Sequence, residues 1–194
     1  MANGKSVIAT CAKGWDPNAL TDEDGDVDGA LPANWGRVTD YDSLADLVKL
    51  TQQELQLDPK KPCLGLLEIV AHGCPSSVDD IFGPTVAKAA TALMTLNWCD
   101  AADIYLSGCN TGHADPKGPE PRPVAELLAK AMAFNLTTFP HKITIYGSVG
   151  YMSGTHMAGD EETSTTYSHD GIDYESPGAK KESGNGCWNP FHNW

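Results

Sequence analysis

The chain has no long apolar run, no start that resembles a leader and no two cysteines spaced as C-x-x-C, and each absence argues against a class of protein. No stretch approaches the roughly 18 apolar residues that a membrane-spanning helix needs. The first residues, MANGKSVIAT, lack a basic segment followed by an apolar one, so the sequence predicts no secretory signal and a cytoplasmic location. Six cysteines without a C-x-x-C pair predict neither a disulfide-dense framework nor a zinc site.

Basic residues are also scarce. The chain has 13 lysines and arginines against 26 acidic residues, which gives a formal net charge of -13. A negative surface repels phosphate backbones and acidic membrane surfaces, so we expect neither nucleic acid nor membrane as a partner. It would attract a cationic peptide or protein, although an acidic balance that only keeps the protein soluble is the alternative.

Apolar runs rich in branched residues alternate with segments of helical periodicity. The predicted strands are SVIATC (6–11), LGLLEIVAHG (64–73), ADIYLSGC (102–109) and KITIYGSV (142–149), and the predicted helices cover 41–55, 84–97 and 122–134. This alternation favours a parallel sheet, because each crossover must run back over the sheet. We therefore predict an α/β three-layer sandwich, with a mostly parallel sheet and helices on both faces.

Two segments have neither pattern, namely 12–40 and 150–194, which are rich in Gly, Asp, Ser and Asn. Such composition predicts loops. The domain is accordingly assigned to residues 1–150, followed by a loop-rich C-terminal segment, 151–194, that either packs on the domain or is partly disordered.

The candidate chemistry lies at two predicted strand ends. Open α/β sheets bind their ligands beyond the carboxyl ends of the strands. The second strand ends in His72-Gly73, and the third ends in a glycine, Cys109 and the residues NTG. A thiol at such a position can act as a nucleophile, and an imidazole on the next strand can transfer a proton. The amides of Gly73 and Cys109 could then donate to a developing oxyanion.

The segments EIVAHG and IYLSGCNTG resemble the paired signatures of the caspase-like, or clan CD, cysteine peptidases. The motifs are nearest to the CHAT-type, toxin self-processing and clostripain-like members, and the likeness covers roughly residues 64–112. It implies a caspase/hemoglobinase fold and an endopeptidase that needs no cofactor. Cys109 would form a thioester acyl-enzyme, His72 would be the acid/base residue, and the amides of Gly73 and Cys109 would form the oxyanion hole.

The resemblance also bears on the residue that precedes the cleaved bond, P1. Ser107 stands where metacaspases have an Asp that helps bind a basic P1 side chain and where caspases have Gln. The loop after the first strand also lines the P1 pocket in this group, and it is acidic in this chain. Cleavage after Arg or Lys is therefore expected. The predicted substrate-binding residues are Asp16, Asp22, Asp24, Asp26, Asp28, Ser107, Ser148 and Tyr151.

The same acidic loop contains a partial calcium-binding pattern. Asp24, Asp26 and Asp28 match the start of an EF-hand loop, but Trp35 occupies the twelfth position, where a bidentate Glu is required. Some relatives with basic specificity are activated by calcium, so calcium is a candidate activator. A solvated acidic loop is the alternative reading.

Two other functions stay open at this point. One is a catalytically inactive caspase-like module that binds peptides or partner proteins. The other is a flavodoxin-like binding or transferase domain in which GCNTG holds a phosphate, although this segment has no lysine and the net charge opposes an anion. The sequence does not indicate the oligomeric state.

Overall fold

The computed structural model describes residues 4–11, 35–78, 85–108, 110–114, 122–134, 139–148 and 188–192. These residues form an α/β fold. In chain order its elements are β1 (Lys5–Cys11), β2 (Trp35–Tyr41), α1 (Leu44–Gln56), β3 (Leu64–Val70), β4 (Gly73–Cys74), β5 (Ser77–Val78), α2 (Val86–Leu93), β6 (Trp98–Ser107), α3 (Val124–Ala133), β7 (Lys142–Ser148) and β8 (Trp188–His192).

The main sheet has the strand order β2-β1-β3-β6-β7-β8. The first five of these strands run parallel, and β8 pairs antiparallel with β7. The predicted mostly parallel sheet is thus confirmed. Two neighbouring strands in its middle, β3 and β6, are the strands whose ends carry the candidate chemistry, while β4 and β5 form a separate short hairpin directly after β3.

Two strands of the main sheet lie in segments that the sequence predicts to be loops. All of β2 except Tyr41 falls within 12–40. Of its residues only Gly36, Val38 and Tyr41 are buried, so its pattern lacks the apolar run of a central strand. β8 falls within the C-terminal segment and contains Pro190, which cannot donate a backbone hydrogen bond to a sheet. Both elements are edge strands, which require apolar residues less than central strands do.

Three helices pack together on one face of the sheet. Their buried side chains include Leu47 of α1, Leu93 of α2 and Leu128 of α3, and these join a single core with inward residues of the parallel strands, such as Leu67 and Ile104. Burying this apolar surface is the main force that holds the layers together. In the described part of the chain the helical layer lies on this face alone, and none of these helices is long and apolar enough to cross a membrane.

The opposite face of the sheet carries buried polar groups. Ile8, Glu68, Tyr105 and Tyr146 form a row across four neighbouring strands. The carboxylate-bearing residue of this row, Glu68, is fully buried, and the two tyrosine rings stack with their centroids 4.4 Å apart. A buried carboxylate needs hydrogen-bond partners. One partner of the Glu68 carboxylate is the Ser107 hydroxyl at the end of β6, near the candidate site.

A covalent bond joins the amino ends of β3 and β6. Cys63, just before β3, forms a disulfide with Cys99 of β6, with an S–S distance of 2.04 Å. Beside it the Asn97 side chain donates to the carbonyl of Pro62 at 2.6 Å. The spacing of the cysteines does not indicate this pair, because its members come from two strands that only the sheet brings together.

Candidate active site

His72 and Gly108 follow adjacent parallel strands at the same edge of the sheet. Val70 pairs with Ser107 in the last register position of β3 and β6, and the pairing continues where the Ala71 N–H donates to the Ser107 carbonyl at 3.4 Å. The His72 side chain is exposed at this edge. The predicted meeting of the two strand ends is therefore present in the fold.

Gly108 allows the two chain segments to approach closely. A Cβ atom at this position would lie 2.7 Å from the carbonyl oxygen of Ala71 and 3.1 Å from the backbone of Gly73. Real Cβ atoms do not approach a backbone this closely, so any larger residue would push the segment after β6 away from the segment after β3. Gly108 thus allows the segment after β6 to stay in contact with Ala71 and Gly73, the two residues that flank His72.

Cys109 itself lies outside the described residues, and its two covalent neighbours, Gly108 and Asn110, lie within them. Asn110 has a positive φ of 58°, a left-handed conformation that asparagine tolerates better than most residues. Several other predicted site residues also lie outside the described part of the chain. These are Asp16, Asp22, Asp24, Asp26, Asp28 and Tyr151.

Buried hydroxyl groups hold the turn that follows β6. The Thr111 hydroxyl donates to the Leu106 carbonyl at 2.6 Å and lies 3.2 Å from the Gly108 carbonyl oxygen. It also accepts from the Ser148 N–H at 3.0 Å, while the Ser148 hydroxyl donates to the Gly108 carbonyl. Both side chains are fully buried. The end of β7 and the turn after β6 thus form one hydrogen-bonded unit.

The amino end of α3 joins this turn to the β4–β5 hairpin. The Val124 N–H donates to the Pro75 carbonyl at 2.7 Å, and the Ala125 N–H donates to the Thr111 carbonyl at 3.1 Å. The first N–H groups of a helix have no partner within the helix. Here they fix the segments that follow His72 and Cys109, and they bring the positive end of the helix dipole to both segments.

Two residues predicted to bind substrate have buried side chains that are already hydrogen-bonded. Ser107 is 1% exposed, and its hydroxyl donates to the carboxylate of Glu68 at 2.6 Å. Ser148 is fully buried against Gly108, as described above. Gly73, the predicted oxyanion donor, is partly exposed and pairs with Val78 in the hairpin.

Cys74 carries a second thiol near the end of β3, and nothing in the sequence analysis distinguishes it from the other cysteines. Its Sγ lies 3.0 Å from the Ser77 hydroxyl and 3.6 Å from the Ser76 hydroxyl. Partial burial raises the pKa of the Cys74 thiol, but hydrogen bonds from Ser77 and Ser76 outweigh burial and lower the pKa below its usual value. The run CPSS, with hydroxyls two and three residues after the thiol, is the signal that could have indicated this site.

The stacked tyrosines of the polar face remain protonated at neutral pH. Burial is the largest cause that raises the pKa of Tyr105 far above its usual range, and the neighbouring Tyr146, Asp103 and Glu68 add to it. Burial and the charge of Asp103 raise the pKa of Tyr146 as well, against a hydrogen bond from Tyr105 that lowers it. Both phenols are therefore neutral hydrogen-bonding groups at neutral pH.

Metal ligands do not cluster in the described ranges, where no three His, Cys, Asp or Glu residues are grouped so that they could hold an ion. The calcium candidates Asp24, Asp26 and Asp28 belong to the segment that lies outside those ranges. Comparison of the chain with family models, with curated proteins and with solved structures found no match.

Proposed function

We propose that this protein is a caspase-like cysteine endopeptidase in which Cys109 is the nucleophile and His72 the acid/base residue. The observation that carries the proposal is the adjacency of the two strand ends. His72 follows β3, Gly108 follows β6, and the backbones of Gly108 and Gly73 are in contact. Cys109 follows Gly108 in the sequence and His72 precedes Gly73, so the two candidate residues belong to neighbouring strand ends, at the edge where α/β sheets bind ligands.

The proposed reaction has two stages. The Cys109 thiolate attacks the scissile carbonyl carbon, and the amides of Gly73 and Cys109 donate to the resulting oxyanion. The C–N bond then breaks as His72 protonates the departing amine, which leaves a thioester. In the second stage His72 takes a proton from the attacking water and the C–S bond of the thioester breaks. The carboxylic acid leaves, with Cys109 a thiolate and His72 protonated as at the start.

The surroundings of the turn support a thiolate at this position. The amino end of α3 is hydrogen-bonded to the Pro75 and Thr111 carbonyls, and the partial positive charge of a helix amino end stabilises a nearby anion. A helix amino end close to a cysteine lowers the pKa of its thiol. Within this proposal, the helical layer of α1, α2 and α3 is one of the two outer layers of a caspase-like sandwich.

We also propose that the peptidase cleaves after Arg or Lys. The formal net charge of -13 favours cationic substrates. In addition, the Glu68 carboxylate lies 2.6 Å from the Ser107 hydroxyl. Ser107 occupies the position where metacaspases have an acidic residue, so a carboxyl group is retained next to that position on a neighbouring strand.

Peptide hydrolysis by matched cysteine variants tests the proposal. Fluorogenic peptides with Arg, Lys, Asp or Asn at P1 would be compared on the wild type, Cys109→Ala, His72→Ala and the control Cys74→Ala. We expect Cys109→Ala to lower kcat/KM at least about a thousandfold, as loss of a nucleophile does elsewhere. Cys74→Ala should remain within about threefold of the wild type, since the Cys74 thiol is hydrogen-bonded to the hairpin hydroxyls of Ser76 and Ser77.

Thiol mapping separates the proposal from the inactive binding module. Brief treatment with iodoacetamide followed by peptide mass spectrometry gives the relative alkylation rate of each cysteine. The peptidase requires Cys109 to react ahead of Cys11 and Cys74, and the rate to fall in His72→Ala if the imidazole assists the thiolate. No turnover of any peptide, together with Cys109 reacting no faster than the others, would refute catalysis and favour the module.

A further inference from the structure

We infer that the groove between α2 and α3, on the outer surface of the helical layer, is a docking site for an acidic amphipathic helix of a partner protein. This inference does not depend on the proposed peptidase activity. The groove has a volume of about 700 Å³. Its apolar lining includes Ala87 of α2, Leu127 and Ala131 of α3, and Phe134, which follows α3 directly.

The outer faces of α2 and α3 lack the polar residues of an ordinary surface helix. Helix α1, LADLVKLTQQELQ, has seven polar residues among its 13. By contrast, the polar residues of α2 are Lys88 and Thr91, and those of α3 are Glu126 and Lys130. A helix that is apolar around most of its circumference is normally covered on more than one side. The sheet covers one side of α2 and α3, and the groove lies on another.

Phe134 is a large apolar side chain that the groove leaves in water. It is 90% exposed, and in the described part of the chain only Leu57, at 73%, shares this property. A single exposed side chain such as Leu57 is common on protein surfaces. Phe134 differs because it borders a continuous apolar groove, and a contiguous exposed apolar surface is typical of an interaction site.

The spacing of the lining residues fits a helical occupant. Leu127, Ala131 and Phe134 stand at i, i+4 and i+7, and Ala87 and Thr91 at i and i+4, so each helix presents one stripe to the groove. The small side chains of the two alanines allow a partner backbone to approach closely. Grooves of this kind bind amphipathic helices whose apolar residues recur at the same intervals.

The charge around the groove has the opposite sign to that of the whole chain. The described residues 85–96 and 122–134 include three cations, Lys88, Arg122 and Lys130, and one carboxylate, that of Glu126. Arg122 and Lys130 line the groove. The formal net charge of the chain is -13. A locally positive groove favours a partner helix that carries Asp or Glu beside its apolar residues.

The Lys130 ammonium is paired with the carboxylate of Glu126, one turn earlier in α3. The two side chains are 51% and 27% exposed, and exposed pairs of this kind are weak, so the ammonium can exchange Glu126 for a carboxylate of the partner. A second copy of the chain fits the groove less well. Two copies that met groove to groove would bring the same cations together.

Peptide selection tests the inference. A displayed library of random peptides of about 16 residues, more than four helical turns, would be selected on Cys109→Ala and counter-selected on Cys109→Ala/Phe134→Ala. The shared substitution removes the proposed nucleophile, so the peptides are not cleaved. We expect the enriched peptides to combine apolar residues at i, i+3 or i+4, and i+7 with Asp or Glu. The net charge of the chain favours basic peptides instead, so the sign of the enriched charge separates a local site from general attraction.

Matched variants then locate the binding site. Fluorescence anisotropy gives the Kd of one enriched acidic peptide, labelled with fluorescein. Phe134→Ala should raise the Kd at least about tenfold, as the loss of an interface anchor does. Lys130→Glu should raise it about tenfold, whereas Lys49→Glu, the same change of charge on the exposed side of α1, should stay within about twofold. Leu57→Ala is the matched control for Phe134→Ala and should also stay within about twofold.

Four results would overturn the inference. Selection could enrich no peptides, or only basic or uncharged ones. Equal weakening by Lys130→Glu and Lys49→Glu would assign binding to the overall charge. Self-association in sedimentation velocity that Phe134→Ala abolishes would assign the groove to a second copy. Binding of sodium dodecanoate without binding of any acidic peptide would assign it to a single-chain amphiphile. Melting temperatures confirm that each variant is folded, and a wild type that hydrolyses no peptide would refute the peptidase proposal alone.

Discussion

The two ends of the parallel sheet are held by different kinds of interaction. At the amino end, a disulfide joins Cys63 to Cys99, and the ammonium of Lys5 pairs with the carboxylate of Glu54 at 3.1 Å. At the carboxyl end, the hydrogen bonds run mainly to backbone carbonyls, and glycines bring the backbones into contact. The end with the candidate chemistry is thus held mainly through the backbone, and the His72 side chain is exposed there.

This contrast predicts that stability and reactivity can be changed separately. Changes at the amino end should lower the free energy of unfolding while folded molecules react as before. Changes of exposed or partly exposed side chains at the carboxyl end, such as Ser77, should alter thiol reactivity or turnover with little loss of stability.

Removing the disulfide should have the largest effect on stability. In Cys63→Ala/Cys99→Ala the unfolded chain gains the freedom of a loop whose ends are 36 residues apart, which corresponds to about 4 kcal/mol in the loop-entropy model. Chemical denaturation of the wild type with and without reductant, and of the double variant, measures this difference. The alkylation rate of Cys109 in the folded double variant should match the wild type.

An unchanged unfolding midpoint in the double variant would contradict the proposed role of the amino end. The Cys63–Cys99 disulfide also bears on the location of the protein. A cytoplasmic location is the expectation stated above, whereas disulfides persist mainly in oxidising compartments. Mass spectrometry of the protein isolated under alkylating, non-reducing conditions shows whether the Cys63–Cys99 bond is present where the protein is made.

Replacing Lys5 should have an intermediate effect. Its ammonium donates to the Glu54 carbonyl in the last turn of α1, where the helix has no basic residue of its own. The buried cation therefore interacts with the negative end of the helix dipole as well as with the Glu54 carboxylate. We expect Lys5→Met to lower the free energy of unfolding by about 1–3 kcal/mol, measured by denaturant titration.

The control for Lys5 is Glu54→Gln, which removes the charge but keeps the backbone carbonyl. A smaller loss in Glu54→Gln than in Lys5→Met is expected, because the bond to the carbonyl survives. Equal losses in the two variants would mean that the carboxylate, and not the helix end, accounts for the contribution of Lys5.

At the carboxyl end, Ser77→Ala should change reactivity while stability changes by less than about 0.5 kcal/mol. The Ser77 hydroxyl stabilises the Cys74 thiolate, so its removal should raise the pKa of that thiol. The thiolate fraction near neutral pH then falls, and the midpoint of the alkylation rate against pH moves to higher pH. Ser76→Ala should move it less, because that hydroxyl is 3.6 Å away.

Much of the fold could be predicted from apolar patterns along the chain. The central strands β1, β3 and β7 were predicted within a few residues, because central parallel strands are buried on both faces and consist of continuous apolar runs. β6 begins at Trp98, four residues before the predicted start, and its early residues include exposed Asp100 and Ala101. β2 and β8 were missed because an edge strand in this sheet needs little apolar character.

The candidate site could be predicted only in part. The positions of His72 and Gly108 follow from strand order, since neighbouring parallel strands end at the same edge. The roles of Ser148 and Glu68 cannot be predicted in this way. The sequence does not indicate whether a hydroxyl or a carboxylate faces a groove or a buried partner. Ser148 was predicted to border the substrate groove, and its side chain is buried against Gly108.

The pairing of β8 with β7 has a consequence for biosynthesis. The Ser148 end of β7 pairs with Trp188, which is translated much later. Until that segment leaves the ribosome, the edge of β7 presents unpaired N–H and C=O groups that another chain can extend. Folding of the sheet is therefore complete only after β8, which is translated later, pairs with β7. Truncated products that lack β8 should aggregate through the uncovered edge of β7.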